Sequence, residues 1–147
     1  MAAEENPTNK TKLPETPQAR DLETEIRRRV LPRHPQYHFH AYTFIYEALA
    51  FTQKLLGRDA QSDAPERRHV TGQELLDGIR QYALQEFGIL APTVFRSWGV
   101  RSTRDFGEIV FNLVESGLMG KTDSDRLEDF DGGYDFDKAF DVQPEEE

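Results

Sequence analysis

The stretch GVRSTRDFGEIVFNLVESGLMGKTDSDRLEDF, residues 99–130, decides how the rest of the chain is read. Phe106, Ile109, Val110, Leu113 and Val114 recur at helical offsets, which places them in one stripe that must face a core. Ser102 followed three residues later by Asp105 is a weak capping box, offering oxygens to the unpaired N–H groups of the first turn. Gly117 suits the left-handed turn that ends a helix, with Leu118 closing back onto Leu113. Each apolar side chain contributes about 1.5–3 kcal/mol if fully buried, so packing stabilises this helix more than propensity does. Gly107 inside it lowers propensity by about 1 kcal/mol relative to alanine and marks the close approach of another backbone. Beyond Leu118, LMGKT and RLEDF flank Asp123, Ser124 and Asp125, a short polar loop that predicts a β-hairpin.

Working outward, Pro92 opens a short helix that ends at Trp98, and Gly99 turns the chain into the helix above. Thr71 with Glu74 makes a capping box, and Val70 with Leu75 a hydrophobic staple. From there Leu75, Ile79, Ala83 and Phe87 step by four, with Leu76 and Tyr82 flanking and Gly88 closing the helix. A longer amphipathic helix runs from about His38 to Leu56, burying Ala41, Phe44, Ile45, Ala48, Leu49 and Leu56. A first short helix, capped by Asp21, spans Leu22 to about Leu31 and stops at Pro32 and Pro35. Residues 1–19, with three prolines and no apolar period, read as a disordered arm. The polar run 58–68 reads as an exposed, mobile loop. Residues 20–140 form the single domain, in which Tyr134, Phe136 and Phe140 pin the chain end, and 141–147 are loose.

Length and composition suit one domain: 147 residues, 37% hydrophobic, no cysteine and no apolar run long enough to span a bilayer. A cytoplasmic protein with no membrane association is the expectation. The net charge of −9 is carried by the last 25 residues, where eleven acids face only Arg126 and Lys138. Such a segment repels phosphate backbones, which makes nucleic acid a poor partner and a basic protein a good one.

Four runs, AYTFIYEAL (41–49), HVTGQELLDGIRQYALQEFG (69–88), SWGVRSTRDFGEIVFNLVESGLMGKT (97–122) and LEDFDGGYDFDKAF (127–140), carry a resemblance. Their order and spacing resembles a small-protein family restricted to Planctomycetes and Verrucomicrobia. The resemblance spans residues 22–140 and implies one compact bacterial, cytoplasmic domain; it brings no activity, cofactor or catalytic residue with it.

Helix, turn, helix and hairpin is also the order of a winged helix-turn-helix, so the expected fold is α+β and mostly α, with a winged-helix-like C-terminal half. The helix entering the groove would present Arg104, Asp105, Glu108, Asn112 and Glu115, a surface of the wrong sign for phosphate. Arg96, Arg101 and Arg104 lie close around the Gly99 turn and suit an anion, although pairing with Asp105 and Glu108 is the simpler fate. His34, His38 and His40 have metal-compatible spacing but no cysteine or patterned carboxylate beside them, so no metal site is assigned. Aligning Asp129, Asp131 and Gly133 with a calcium loop leaves Tyr134 where the turn glycine is required. No nucleophile, phosphate-loop or dinucleotide motif is present, and no cofactor is implied. The reading is therefore a non-catalytic adaptor or regulatory module that offers Asp123, Asp125, Glu128, Asp129 and Asp131 to a basic protein. The alternatives are a nucleic-acid-associated factor using its arginine clusters and a metal-assisted enzyme using the three histidines.

Overall fold

A computed structural model describes residues 19–58, 69–120 and 126–141, and these are mostly helical. Of the arm expected over 1–19 only Ala19 is described, and it begins a helix; of the loop 58–68 only Arg58 and of the end 141–147 only Asp141 are described, and the turn residues Asp123, Ser124 and Asp125 lie outside the described residues.

Helix α1 (Ala19–Glu25) runs directly into a π-helical segment, Ile26–Val30, with Asp21 in its first turn and not at its cap. Leu22, Ile26 and Val30 step by four and are all buried, so the wider winding keeps one apolar face on the core. Helix α2 (Phe39–Leu55) starts at His38, whose Nδ1 accepts from the His40 N–H at 3.0 Å. Its inner face is Ala41, Tyr42, Phe44, Ile45, Ala48 and Thr52, whereas Leu56, expected inside, is exposed just past the helix end.

Helix α3 (Gly72–Phe87) has the capping box foreseen at Thr71 and Glu74, with hydrogen bonds of 3.1 and 3.0 Å. Arg58 adds a forked pair to the same Glu74 carboxylate at 2.7 and 3.1 Å and donates to the His69 carbonyl at 3.1 Å. The Arg58 guanidinium and then the Thr71 N–H hold the Glu74 carboxyl below its ordinary range. α2 packs along α3. The two helices touch most closely where Thr52 meets Gly78, because a Cβ at Gly78 would lie 1.7 Å from Thr52 Oγ1. The buried Thr52 hydroxyl is satisfied within its own helix by the Ala48 carbonyl at 2.7 Å.

A 3-10 turn, Gly88–Leu90, leads into α4 (Ala91–Ser97), with Pro92 in its first turn. α4 is short, yet Phe95 is the hub of the core, 5.1–5.6 Å ring to ring from Phe44, Phe106, Phe136 and Phe140. Gly99 then reverses the chain at φ 92°, where a Cβ would press to 2.6 Å on the Gln36 carbonyl. Helix α5 (Thr103–Glu115) follows, burying Phe106, Ile109 and Leu113, with Val110 and Val114 partly covered.

The α+β class is overturned, and with it the winged-helix-like half: no strand and no hairpin occur among the described residues. In place of a second strand, Leu127–Phe130 forms a 3-10 turn. The physical reason is spacing: Leu127 and Phe130 are three residues apart, which puts both on one side of a turn but on opposite faces of a strand. Asp129 fixes that turn by accepting from the Arg126 N–H at 3.3 Å. A last short helix, α6 (Phe136–Ala139), is capped by Asp135 through the Asp137 N–H at 2.8 Å.

Candidate functional site

Residues 126–141 form a strap that crosses α3 and α5 and carries most of the acidic candidates the structure describes. Phe130 is its plug, sunk into a seat made by two glycines. A Cβ on Gly107 would fall 2.7 Å from Phe130 Cγ, and one on Gly72 3.1 Å from the same ring. The close approach foreseen at Gly107 is thus made by an aromatic ring, not by backbone. The buried Thr103 hydroxyl locks the seat, donating to the Phe130 carbonyl at 2.6 Å and accepting from the Gly133 N–H at 2.9 Å. Tyr134 donates to the Leu76 carbonyl at 2.7 Å, and Phe136 and Phe140 are buried against Phe95.

With its apolar side chains turned inward, the strap leaves Glu128, Asp131, Asp135, Asp137 and Asp141 exposed and Asp129 half-buried. Asp131 is held by Arg104 Nη1 at 2.8 and 3.0 Å, and Asp137 by Arg96 at 3.1 Å. Two of the three proposed anion-binding arginines therefore reach carboxylates of the strap, not the Asp105 partner suggested by sequence proximity. Arg104 also lies 3.8 Å from Glu108. Arg101 is exposed and in no ion pair among the described residues; its backbone N–H donates to Asp105 at 2.8 Å. Glu128 and Asp141 are in no ion pair among the described residues. Asp123 and Asp125 lie outside the described residues.

The face of α5 expected to meet water is partly covered: Arg104 and Glu115 are exposed, Asp105 and Glu108 half-buried, and Asn112 buried. Tyr37 donates to Asp105 at 2.5 Å and lies 3.3 Å from Glu108. Burial first, then Asp105, pushes its phenol well above the ordinary tyrosine range. Asn112 is buried and donates to Tyr42 Oη at 3.1 Å. Glu115 accepts from His34 Nε2 at 2.7 Å and pairs with Arg33 at 3.0 Å, and these, His34 foremost, hold its carboxyl below the usual range. Of the five positions a recognition helix would offer to DNA, Asp105, Glu108, Asn112 and Glu115 contact residues 33–42, a layer that the sequence pattern alone did not reveal, whereas Arg104 reaches the strap. The signal was present as polar residues at three- and four-residue steps, Asp105, Glu108, Asn112 and Glu115, facing a segment rich in tyrosine and histidine.

The histidines are parted in role: His34 pairs with Glu115, whereas His38 caps α2 and its ring lies 4.8 Å from that of His40. No group of three potential metal ligands occurs among the described residues. The Arg27–Arg29 run is paired with Glu23 and Glu25, and Arg27 also covers the Phe39 ring at 4.2 Å. No described helix is long and apolar enough to cross a membrane. Comparison with family models, with curated proteins and with solved structures finds no match, so the reading of this surface rests on its own geometry.

Proposed function

We propose that the protein is a non-catalytic adaptor or regulatory module of the cytoplasm whose acidic strap engages a basic region of another protein. The observation that carries this reading is the division of labour within the strap. Its aromatic residues are spent on the core, while six carboxylates between Glu128 and Asp141 sit against only Arg126 and Lys138 from the same segment. Arg104 and Arg96 reach two of the six and leave a net negative face. Apposed opposite charge speeds encounter and selects partners more than it adds affinity, which is the behaviour of a regulatory contact. The same sign opposes nucleic acid, because phosphate contacts supply most non-specific affinity.

The test is capture from cytoplasmic extract with the full chain, compared with a variant carrying Glu128→Gln and Asp141→Asn, two exposed positions outside any described ion pair. A defined basic protein retained by the parent, released by salt and lost from the variant is the expected result. A mobility shift of duplex DNA at physiological salt, unaffected by those substitutions, would overturn the reading.

A further inference from the structure

Where the 3-10 turn enters α4, Ile89 and Leu90 are 64% and 60% exposed, more than any other large apolar residue described. Beside them lies an open groove of about 290 Å³. Ile89 and the buried Pro92 and Phe140 are its apolar lining, and Arg96, Asp137 and Asp141 its charged lining. A space of this size lies at the lower end of the range of about 300–1,000 Å³ usual for ligand pockets and has room for an apolar side chain of a partner segment. Its lining holds one cation and two carboxylates. Arg96 is committed to Asp137 at 3.1 Å, and Asp141 is in no ion pair among the described residues, which leaves one carboxylate uncompensated.

We infer that this groove is the docking point for a partner segment in which an apolar side chain is flanked by lysine or arginine, a location that rests on the acidic-adaptor reading above. The apolar side chain enters the space over Phe140 and Pro92, and a basic neighbour meets Asp141. Charge argues against the other occupants. A second copy related by a two-fold axis brings the same net-negative lining against itself, and the end of this chain carries Glu145, Glu146 and Glu147, of like sign to Asp141.

The experiment is fluorescence anisotropy of the full chain with two labelled peptides, one bearing leucines four apart among lysines and one with serines in place of those leucines. The first should bind the parent roughly tenfold or more tightly than the second, as burial of one leucine implies. Ile89→Gln with Leu90→Gln should erase that difference while leaving the serine peptide unchanged, since both residues stand in solvent. Chemical-shift changes induced by the leucine peptide in the parent protein should centre on residues 88–96 and 137–141, a readout that needs no variant. Equal binding of the two peptides, or a leucine advantage that survives the double substitution, overturns the groove and leaves the acidic reading standing. Binding of neither peptide overturns both. Concentration-dependent sedimentation of the parent, lost in the double variant, assigns the patch to a second copy and likewise overturns the inference.

Discussion

Replacing Gly107 with alanine sets two opposing effects against each other, and the seating of Phe130 decides the sign. In a helix interior the change favours folding by about 0.8–1 kcal/mol. Against it, the new Cβ would lie 2.7, 2.8 and 2.9 Å from Phe130 Cγ, Cδ1 and Cβ. Carbon atoms rest about 3.5–4.0 Å apart, so the ring or the strap must retreat by about 1 Å. Neither is free to do so, because Thr103 grips the Phe130 carbonyl and the Gly133 N–H at once. Overpacking of this kind costs about 1–3 kcal/mol, and the balance is a net loss near 1 kcal/mol. Urea denaturation followed by far-UV circular dichroism reads the loss directly. The same substitution made in a Phe130→Ala background should reverse sign and stabilise by up to about 1 kcal/mol, since only the 2.9 Å contact with Cβ remains and the unplugged turn can open. If Gly107→Ala stabilises the parent as much as the Phe130→Ala variant, the glycine seat is not what holds the strap.

Thr71→Ala removes the hydroxyl that accepts the Glu74 N–H and should lower stability by about 1 kcal/mol; an unchanged urea midpoint would contradict the role given to the box. A pH prediction follows from the tyrosines. Burial, aided by Glu47, pushes Tyr82 up to about 12, and burial raises Tyr37 and Tyr134 as well. The folded chain thus keeps protons that the unfolded chain releases near pH 10, so the contribution is complete below about pH 10 and disappears as the pH rises through 12 and above. Tyrosinate absorbance should therefore rise together with loss of helix. All five tyrosines ionising near their ordinary value with the helices intact would contradict it.

The helices from α3 to α5 were legible because each has a local signature at its start: Thr71 with Glu74, Pro92, and Asp105, which accepts from the Ser102 N–H at 3.1 Å. Those signals act within one turn and survive any tertiary context. The chain after Leu118 had no such signal strong enough to outweigh the polar turn at Asp123, and its apolar residues are too sparse to separate a period of two from one of three. What settles that segment is long-range: the empty space above Gly107 and Gly72, and the Thr103 hydroxyl that reaches it. The acidic composition of the strap was readable from sequence, but its pairing with Arg96 and Arg104 was not, because those contacts span 41 and 27 residues respectively. Asn112 was misplaced for a related reason. A polar residue on a helix reads as outward-facing, and only the Tyr42 hydroxyl on a distant element makes the inward position affordable.

The forked grip of Arg58 on Glu74, with the His69 carbonyl taken by the same guanidinium, ties together the two ends of residues 59–68. Foreign sequence spliced between these ends begins and finishes at a junction the host already closes. Each doubling of such a loop adds only about 0.6 kcal/mol of closure entropy. This makes the site a natural point for grafting a reporter domain, on a stretch of chain separate from the acidic strap.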